Sequence, residues 1–160
     1  MSELTSRLPD PLQFFPEMAS FGAETSKAVH NGAVPDATIG LVQLRAGQLV
    51  GSTYHTVMQS GMLRTAGEAA ERIDSLSSWR DSPYFTAGEK AALELTEAVL
   101  TPSFFGERVP DELFARAAEH YDDKAMWTLV LAIAQIMFFI PVGLIAKPIP
   151  GRPFGQNYSR

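Results

Sequence analysis

Cysteine is missing from all 160 residues, and no other absence removes as much chemistry. Without a thiol the chain forms no disulfide, builds no zinc–thiolate or iron–sulfur centre and holds no catalytic thiolate. Cysteine usage is therefore also silent on redox compartment. Histidine is scarce: His30, His55 and His120 are the three present. Their spacing announces no metal site, and neither a metal nor any other cofactor is expected. No run of lysine or arginine occurs, and the formal net charge is −5. Phosphate contacts need clustered cations, so no nucleic-acid partner is expected. Internal repeats, low-complexity blocks, polar linkers and useful β-alternation are missing as well. The opening stretch MSELTSRLPD lacks the basic-then-apolar order of a secretory leader, so a cytoplasmic location is expected.

What remains is an ordinary globular balance, 46% hydrophobic and 19% charged, in a length that suits a single domain over 1–160. The punctuation is helical. Pro16 suits a first helical turn, followed by Met18, Phe21, Thr25 and Ala28 on one face. The run from His30 to Asp36 breaks that helix. A second helix carries Ile39, Val42, Ala46 and Leu49 at amphipathic spacing, beside a stripe of Gly40, Gly47 and Gly51. Three glycines on one side imply close approach by another backbone or a ligand, with plain helix-on-helix packing the favoured reading. A third helix runs from near Ser52 to about Gly67, and a short one from Glu68 to about Ser78 leads into the loop WRDSPYF. Thr86 and Glu89 have capping-box spacing. They open a helix that buries Ala91, Leu95, Ala98 and Val99. Pro110 opens another, expected to bury Leu113, Phe114, Ala117 and Ala118.

The last helix is the most apolar. No charged residue occurs from Ala125 to Ala146, about the length of a membrane span. Thr128, Gln135, Pro141 and Gly143 favour a buried core or subunit-interface helix instead, and no membrane partner is expected. Pro141 should stop or kink it. The proline- and glycine-rich tail beyond it reads as irregular, either a frayed terminus or a segment lying on a neighbouring subunit. The pattern as a whole predicts an all-α fold of about six or seven helices.

The segment Arg64–Val99, with its tryptophan loop Trp79–Phe85, its T-x-x-E helix start and ALELTEAV, resembles the carboxymuconolactone decarboxylase and alkylhydroperoxidase-D superfamily. LVQLRAGQLVG upstream, and VPDELF and LVLAIA downstream, extend the resemblance from about Pro16 to Phe139. It implies an alkylhydroperoxidase-D-like helical bundle and a homo-oligomer, a trimer or a hexamer. Redox-active members open a helix with C-x-x-C, carry a histidine one turn later and complete a proton relay with a glutamate on the preceding helix. In this chain Ser52 and His55 stand at the cysteine positions, Gln59 at the histidine and Gly40 at the glutamate. Ile140-Pro141 replaces the Asn-Arg often found near the C-terminal helix. Peroxide reduction through a thiolate and a resolving thiol is excluded.

Ser52, His55 and Gln59 fall at i, i+3 and i+7 and share one helix face. That face would line the inherited pocket. His55 is the candidate for proton transfer. Gln59 is the candidate to hydrogen-bond a carbonyl or carboxylate of a small-molecule ligand, and Ser52 to do the same or to cap the helix. No G-x-S-x-G elbow supports Ser52 as a nucleophile. Tyr54 is expected in the core with its hydroxyl satisfied locally, His30 in a loop, His120 at a helix end, and Trp79 and Phe85 packed on the core. Two functions remain open. One is a cofactor-independent lyase or isomerase acting on a small organic acid or lactone through His55. The other is a non-catalytic oligomeric protein that binds a ligand or partner on the same scaffold.

Overall fold

The computed structural model describes residues 3–159. Seven helices follow one another with no strand among the described residues: α1 Glu17–Val29, α2 Asp36–Leu49, α3 Thr53–Thr65, α4 Ala70–Asp74, α5 Ala87–Leu100, α6 Asp111–Ala118 and α7 Asp123–Pro141. The fold is all-α. The expected helix over 68–78 is divided, with α4 followed by a separate 3-10 turn, Leu76–Ser78.

α2 is the central strut, apolar on nearly every side as befits a helix surrounded by others. Its Ile39 and Val42 join Leu95 of α5, Leu113 of α6 and Leu129 of α7 in one buried cluster. Leu41 and Leu44 point the other way, to Leu63 of α3, Trp79 and Phe85. The glycine stripe divides by role. A Cβ on Gly40 would stand 2.7 Å from Leu63 Cδ2, and one on Gly47 3.1 Å from His55 Cβ. Both glycines therefore let α3 lie tight against α2, the packing reading of the sequence. Gly51 instead serves the α2–α3 turn with φ +68, where a side chain would be strained.

The tryptophan loop is pinned as the sequence implies. Trp79 and Phe85 are buried. The indole Nε1 donates to Glu97 Oε1 at 2.8 Å, and the Arg80 guanidinium lies over the ring at 4.2 Å. The capping box at Thr86 and Glu89 forms with both of its hydrogen bonds.

Two helix faces differ from expectation. In α1 only Val29 is fully buried, while Phe21 and Ala28 are exposed. Phe21 rests against Phe138 and Phe139 of α7, with ring centroids 4.4 and 6.2 Å away, near the surface, while Met18, Gly22 and Ser26 line a cavity. In α6, Leu113 and Ala117 go inward, one turn apart, and Phe114 and Ala118 rotate about 100° away into solvent.

α7 satisfies the length and hydropathy of a membrane-crossing helix together with the turn that follows it, over Asp123–Ala146. One side is core, including Ala125, Leu129, Ala132, Ile136 and Ile140. The other side leaves Trp127, Leu131, Phe138 and Ile145 exposed. Pro141 does not stop the chain's helical course. Its ring removes one intrahelical hydrogen bond, and the backbone widens into a π turn, Val142–Ala146, that ends at Lys147 in the left-handed conformation. The tail is not frayed. It folds back on its own chain, with Ile149 N donating to Asn157 O and Ser6 N to Ser159 O, and Asn157 is fully buried.

Candidate active site

α1 and α3 form the walls of a cavity of about 440 Å³, floored by α2 and α7 and rimmed by Leu12, Phe154 and Tyr158. No aspartate, glutamate, lysine or arginine among the described residues lines it. His55 and Gln59 project into it from α3, Gln43 from α2 and Gln135 from α7.

Ser52 sits immediately before α3, in extended conformation, and its Oγ accepts from the His55 backbone N–H as an N-cap. The same Oγ lies 2.8 Å from His55 Nδ1. Ser52 is therefore behind His55 and not among the residues that line the cavity. Partner counting assigns the protons. Among the described residues Ser52 Oγ has one possible acceptor, His55 Nδ1. The hydroxyl donates to Nδ1, the imidazole proton resides on Nε2, and Nε2–H, which makes no hydrogen bond within the described chain, opens onto the cavity.

Packing holds the ring in place. Gly47 of α2 abuts its Cβ, and Gly143 of the π turn abuts its edge. A Cβ on Gly143 would come within 2.6 Å of His55 Cε1, 2.7 Å of Nδ1 and 3.0 Å of Ser52 Oγ. Burial lowers the His55 pKa from 6.5 to about 4, because the cationic form loses its hydration. At neutral pH the ring is an uncharged hydrogen-bond donor. Burial likewise raises Tyr54, against a smaller lowering by its Asn157 hydrogen bond, and pushes Tyr158 up to about 12, so both phenols keep their protons.

Gln59 belongs to a chain of amides. Its Nε2 donates to Gln43 Oε1 at 3.1 Å; Gln43 Nε2 donates to Gln135 Oε1 at 2.9 Å and to Ala132 O at 3.2 Å. Gln135 Nε2 donates to Thr25 Oγ1 at 3.0 Å, and that hydroxyl donates to Phe21 O at 2.9 Å. Gln43 and Gln135 were not singled out as site residues by sequence reasoning, although each is a lone amide in an apolar run, L-V-Q-L and I-A-Q-I. Tyr54 also differs from expectation. It lines the cavity, and its hydroxyl accepts from Asn157 Nδ2 at 2.9 Å across 103 positions of sequence.

The three histidines do not converge. His30 ends α1, lines the cavity and meets Asp36 Oδ1 through Nδ1 at 2.8 Å. His120 lies in the turn after α6, exposed and beside Tyr121. No group of three or more metal-binding side chains occurs among the described residues.

Comparison with known proteins agrees with this architecture. The family model for the carboxymuconolactone decarboxylase family matches residues 16–98. The uncharacterized protein YdfG of Bacillus subtilis (strain 168) is 36% identical over 122 residues, covering 76% of this chain and 81% of YdfG. Among solved structures, ATU0492 of Agrobacterium tumefaciens, a protein of unknown function linked in its description to AhpD antioxidant defence, superposes with a TM-score of 0.81 at 23% identity. That match covers 93% of this chain and 100% of the other. A cysteine-to-alanine variant of the debrominase Bmp8, in complex with 2,3,4-tribromopyrrole, gives a TM-score of 0.70 at 18% identity, covering 82% of this chain and 71% of Bmp8. At such identities the two structures speak for the shared fold alone. The helical architecture, the matched segment and the YdfG relationship together make this chain a member of the carboxymuconolactone decarboxylase family, one that has no cysteine for the thiol chemistry of its redox-active relatives.

Proposed function

We propose that the chain is a cofactor-independent enzyme of the lyase or isomerase kind, whose cavity takes a small uncharged carbonyl compound related to a lactone. The observation that carries this reading is the setting of His55: one imidazole nitrogen is clamped by Ser52 and the other faces a cavity that no Asp, Glu, Lys or Arg among the described residues lines. A neutral imidazole N–H can polarise a carbonyl and stabilise the oxyanion that develops on it in the transition state. A low-dielectric wall strengthens that interaction. A free carboxylate is the poorer fit, since it would enter apolar surroundings with no lysine or arginine among the described residues to meet it. The organic-acid half of the sequence expectation is therefore set aside in favour of an uncharged substrate.

The test is turnover of a panel of small lactones and related ketones by the intact chain. His55→Ala is expected to reduce turnover of the responding compound by at least about 100-fold; turnover unchanged by that substitution refutes the role of His55.

Non-catalytic binding is the second reading. It is favoured by the lack, among the described residues, of any carboxylate or amine in the cavity wall to exchange a proton with His55, since Gln59 and Gln43 are inert to proton transfer. Compounds that bind and perturb the His55 ring without being converted would establish it.

A further inference from the structure

The amide chain behind Gln59 has a fixed direction. Gln43 Nε2 faces the main-chain oxygen of Ala132, which can only accept, so Gln43 cannot turn its amide over. Its Oε1 must then face α3, and the Gln59 atom opposite it must be the donor Nε2. The far end is locked in the same sense. Gln135 presents Oε1 to Gln43 and Nε2 to Thr25, whose hydroxyl proton is committed to the main-chain oxygens of α1, Phe21 O at 2.9 Å and Gly22 O at 3.1 Å. Backbone carbonyls on α7 and α1 therefore set the orientation of an amide on α3. Gln59 keeps its carbonyl Oε1 and one N–H without a partner among the described residues, in a side chain that is only 5% exposed and lines the cavity.

His55 and Gln59 are one helical turn apart on α3, so their side chains are neighbours. His55 offers a donor, Nε2–H; Gln59 offers Oε1, an acceptor whose place the amide nitrogen cannot take without breaking the chain of amides, together with its one spare N–H. A ligand that displaces water from Gln59 Oε1 without replacing its hydrogen bond leaves a buried acceptor unpaired.

We propose that this cavity selects uncharged ligands that carry an N–H or O–H beside the carbonyl group, such as a lactam edge or a hydroxyl adjacent to a ketone or lactone carbonyl, with the carbonyl on His55 Nε2–H and the ligand's own donor on Gln59 Oε1. This rests on the uncharged-carbonyl reading of the same cavity and narrows its substrate class. A plain lactone satisfies His55 and opposes a ring oxygen to Gln59 Oε1. The glutamine chain is thus a positioning device and His55–Gln59 the recognition pair.

The test uses four bicyclic probes of similar size with the intact chain: 2-quinolinone, 1-methyl-2-quinolinone, coumarin and 2-naphthoate. Binding is read by calorimetry, and the His55 ring by its ¹⁵N resonances. The ring of the free protein is expected to show the Nε2–H tautomer. 2-Quinolinone is expected to bind at least about 10-fold more tightly than coumarin, which differs by an oxygen in place of the N–H. In Gln59→Met, which keeps the apolar bulk and removes the acceptor, that advantage is expected to disappear. Equal binding of 2-quinolinone and coumarin, with His55 perturbed by both, overturns the donor-beside-carbonyl proposal and leaves the uncharged-carbonyl reading standing. Tightest binding by 2-naphthoate, or no binding and no perturbation of His55 by any probe, overturns both. An Nδ1–H tautomer in the free protein overturns the donor role of His55 on its own.

Discussion

Acidification from pH 7 to pH 4 acts on His55 unequally in the two states of the chain. In the unfolded chain the imidazole takes up a proton around 6.5; in the folded chain burial delays this to about 4. The folded pKa is the lower of the two, so the unfolded state binds more protons throughout that window and stability falls as pH falls. The contribution is complete above about 6.5, declines between there and about 4, and is lost below it. At roughly 1.4 kcal/mol per pH unit the loss is about 3 kcal/mol, a large part of the stability of an ordinary domain. Urea unfolding followed by circular dichroism at half-unit steps from pH 7 to pH 4 gives the dependence, and the same series on His55→Asn isolates it. Burial pushes Glu89 and Glu97 up, but hydrogen bonds outweigh this, chiefly from Arg72 to Glu89 and from Trp79, Arg80 and Arg45 to Glu97. Both carboxyls end below their usual range and titrate alike in the two proteins. The gap between the two stability curves is expected to narrow by about 3 kcal/mol across the window. Parallel curves would show that His55 is hydrated or charged in the folded state, and the account of a neutral donor would fall with them.

Two further outcomes are expected. Gly143→Ala places a methyl group 2.6 Å from His55 Cε1, well inside the 3.4 Å of ordinary contact, so the ring or the π turn must retreat by most of an ångström. Stability should drop by about 1–3 kcal/mol, the His55 ¹⁵N resonances should shift, and any turnover should fall steeply; unchanged resonances would mean the π turn yields without involving the site. For the outer face of α7 and the turn after it, where exposed Trp127, Leu131, Phe138 and Ile145 recur at steps of four, seven and seven residues along one side, we propose that a second copy of the chain covers it. Light scattering at micromolar concentration should then report a trimer or hexamer that Leu131→Glu with Phe138→Glu reduces to monomers, and a monomeric parent chain refutes it.

Local signals were legible wherever the controlling interaction is itself local. The Thr86–Glu89 box, the breaks before α2 and α3, and the apolar spacing of α5 all rest on contacts within a few residues, and the helices appear where those signals stand. Ser52 and His55 were legible as a pair for the same reason, being one turn apart. Gly40 and Gly47 announced a close approach, but which atoms approach, Leu63 and His55, is decided by the path of α3. Gln43 and Gln135 could be seen as oddities in apolar runs. Their joint purpose depends on α2 and α7 meeting across 92 positions of sequence, which no short-range pattern encodes. The tail read as irregular and is irregular, yet it is ordered, because its hydrogen bonds go to Ser6 and Tyr54. On α1 an amphipathic count does not separate Met18, which lines the hollow, from Phe21, which lies half-open against Phe138 of α7.

The lacing of segment 146–159 to residues 6–8 has a consequence for traffic through the protein. Leu12, Phe154 and Tyr158 form the rim of the hollow, and main-chain links such as Arg7 N to Ala146 O hold it together with the buried Asn157 side chain on Tyr54 of α3. Because residues 6–8 and 146–159 are tied to each other and to α3 through Tyr54, a change in either segment is felt at the entrance of the cavity.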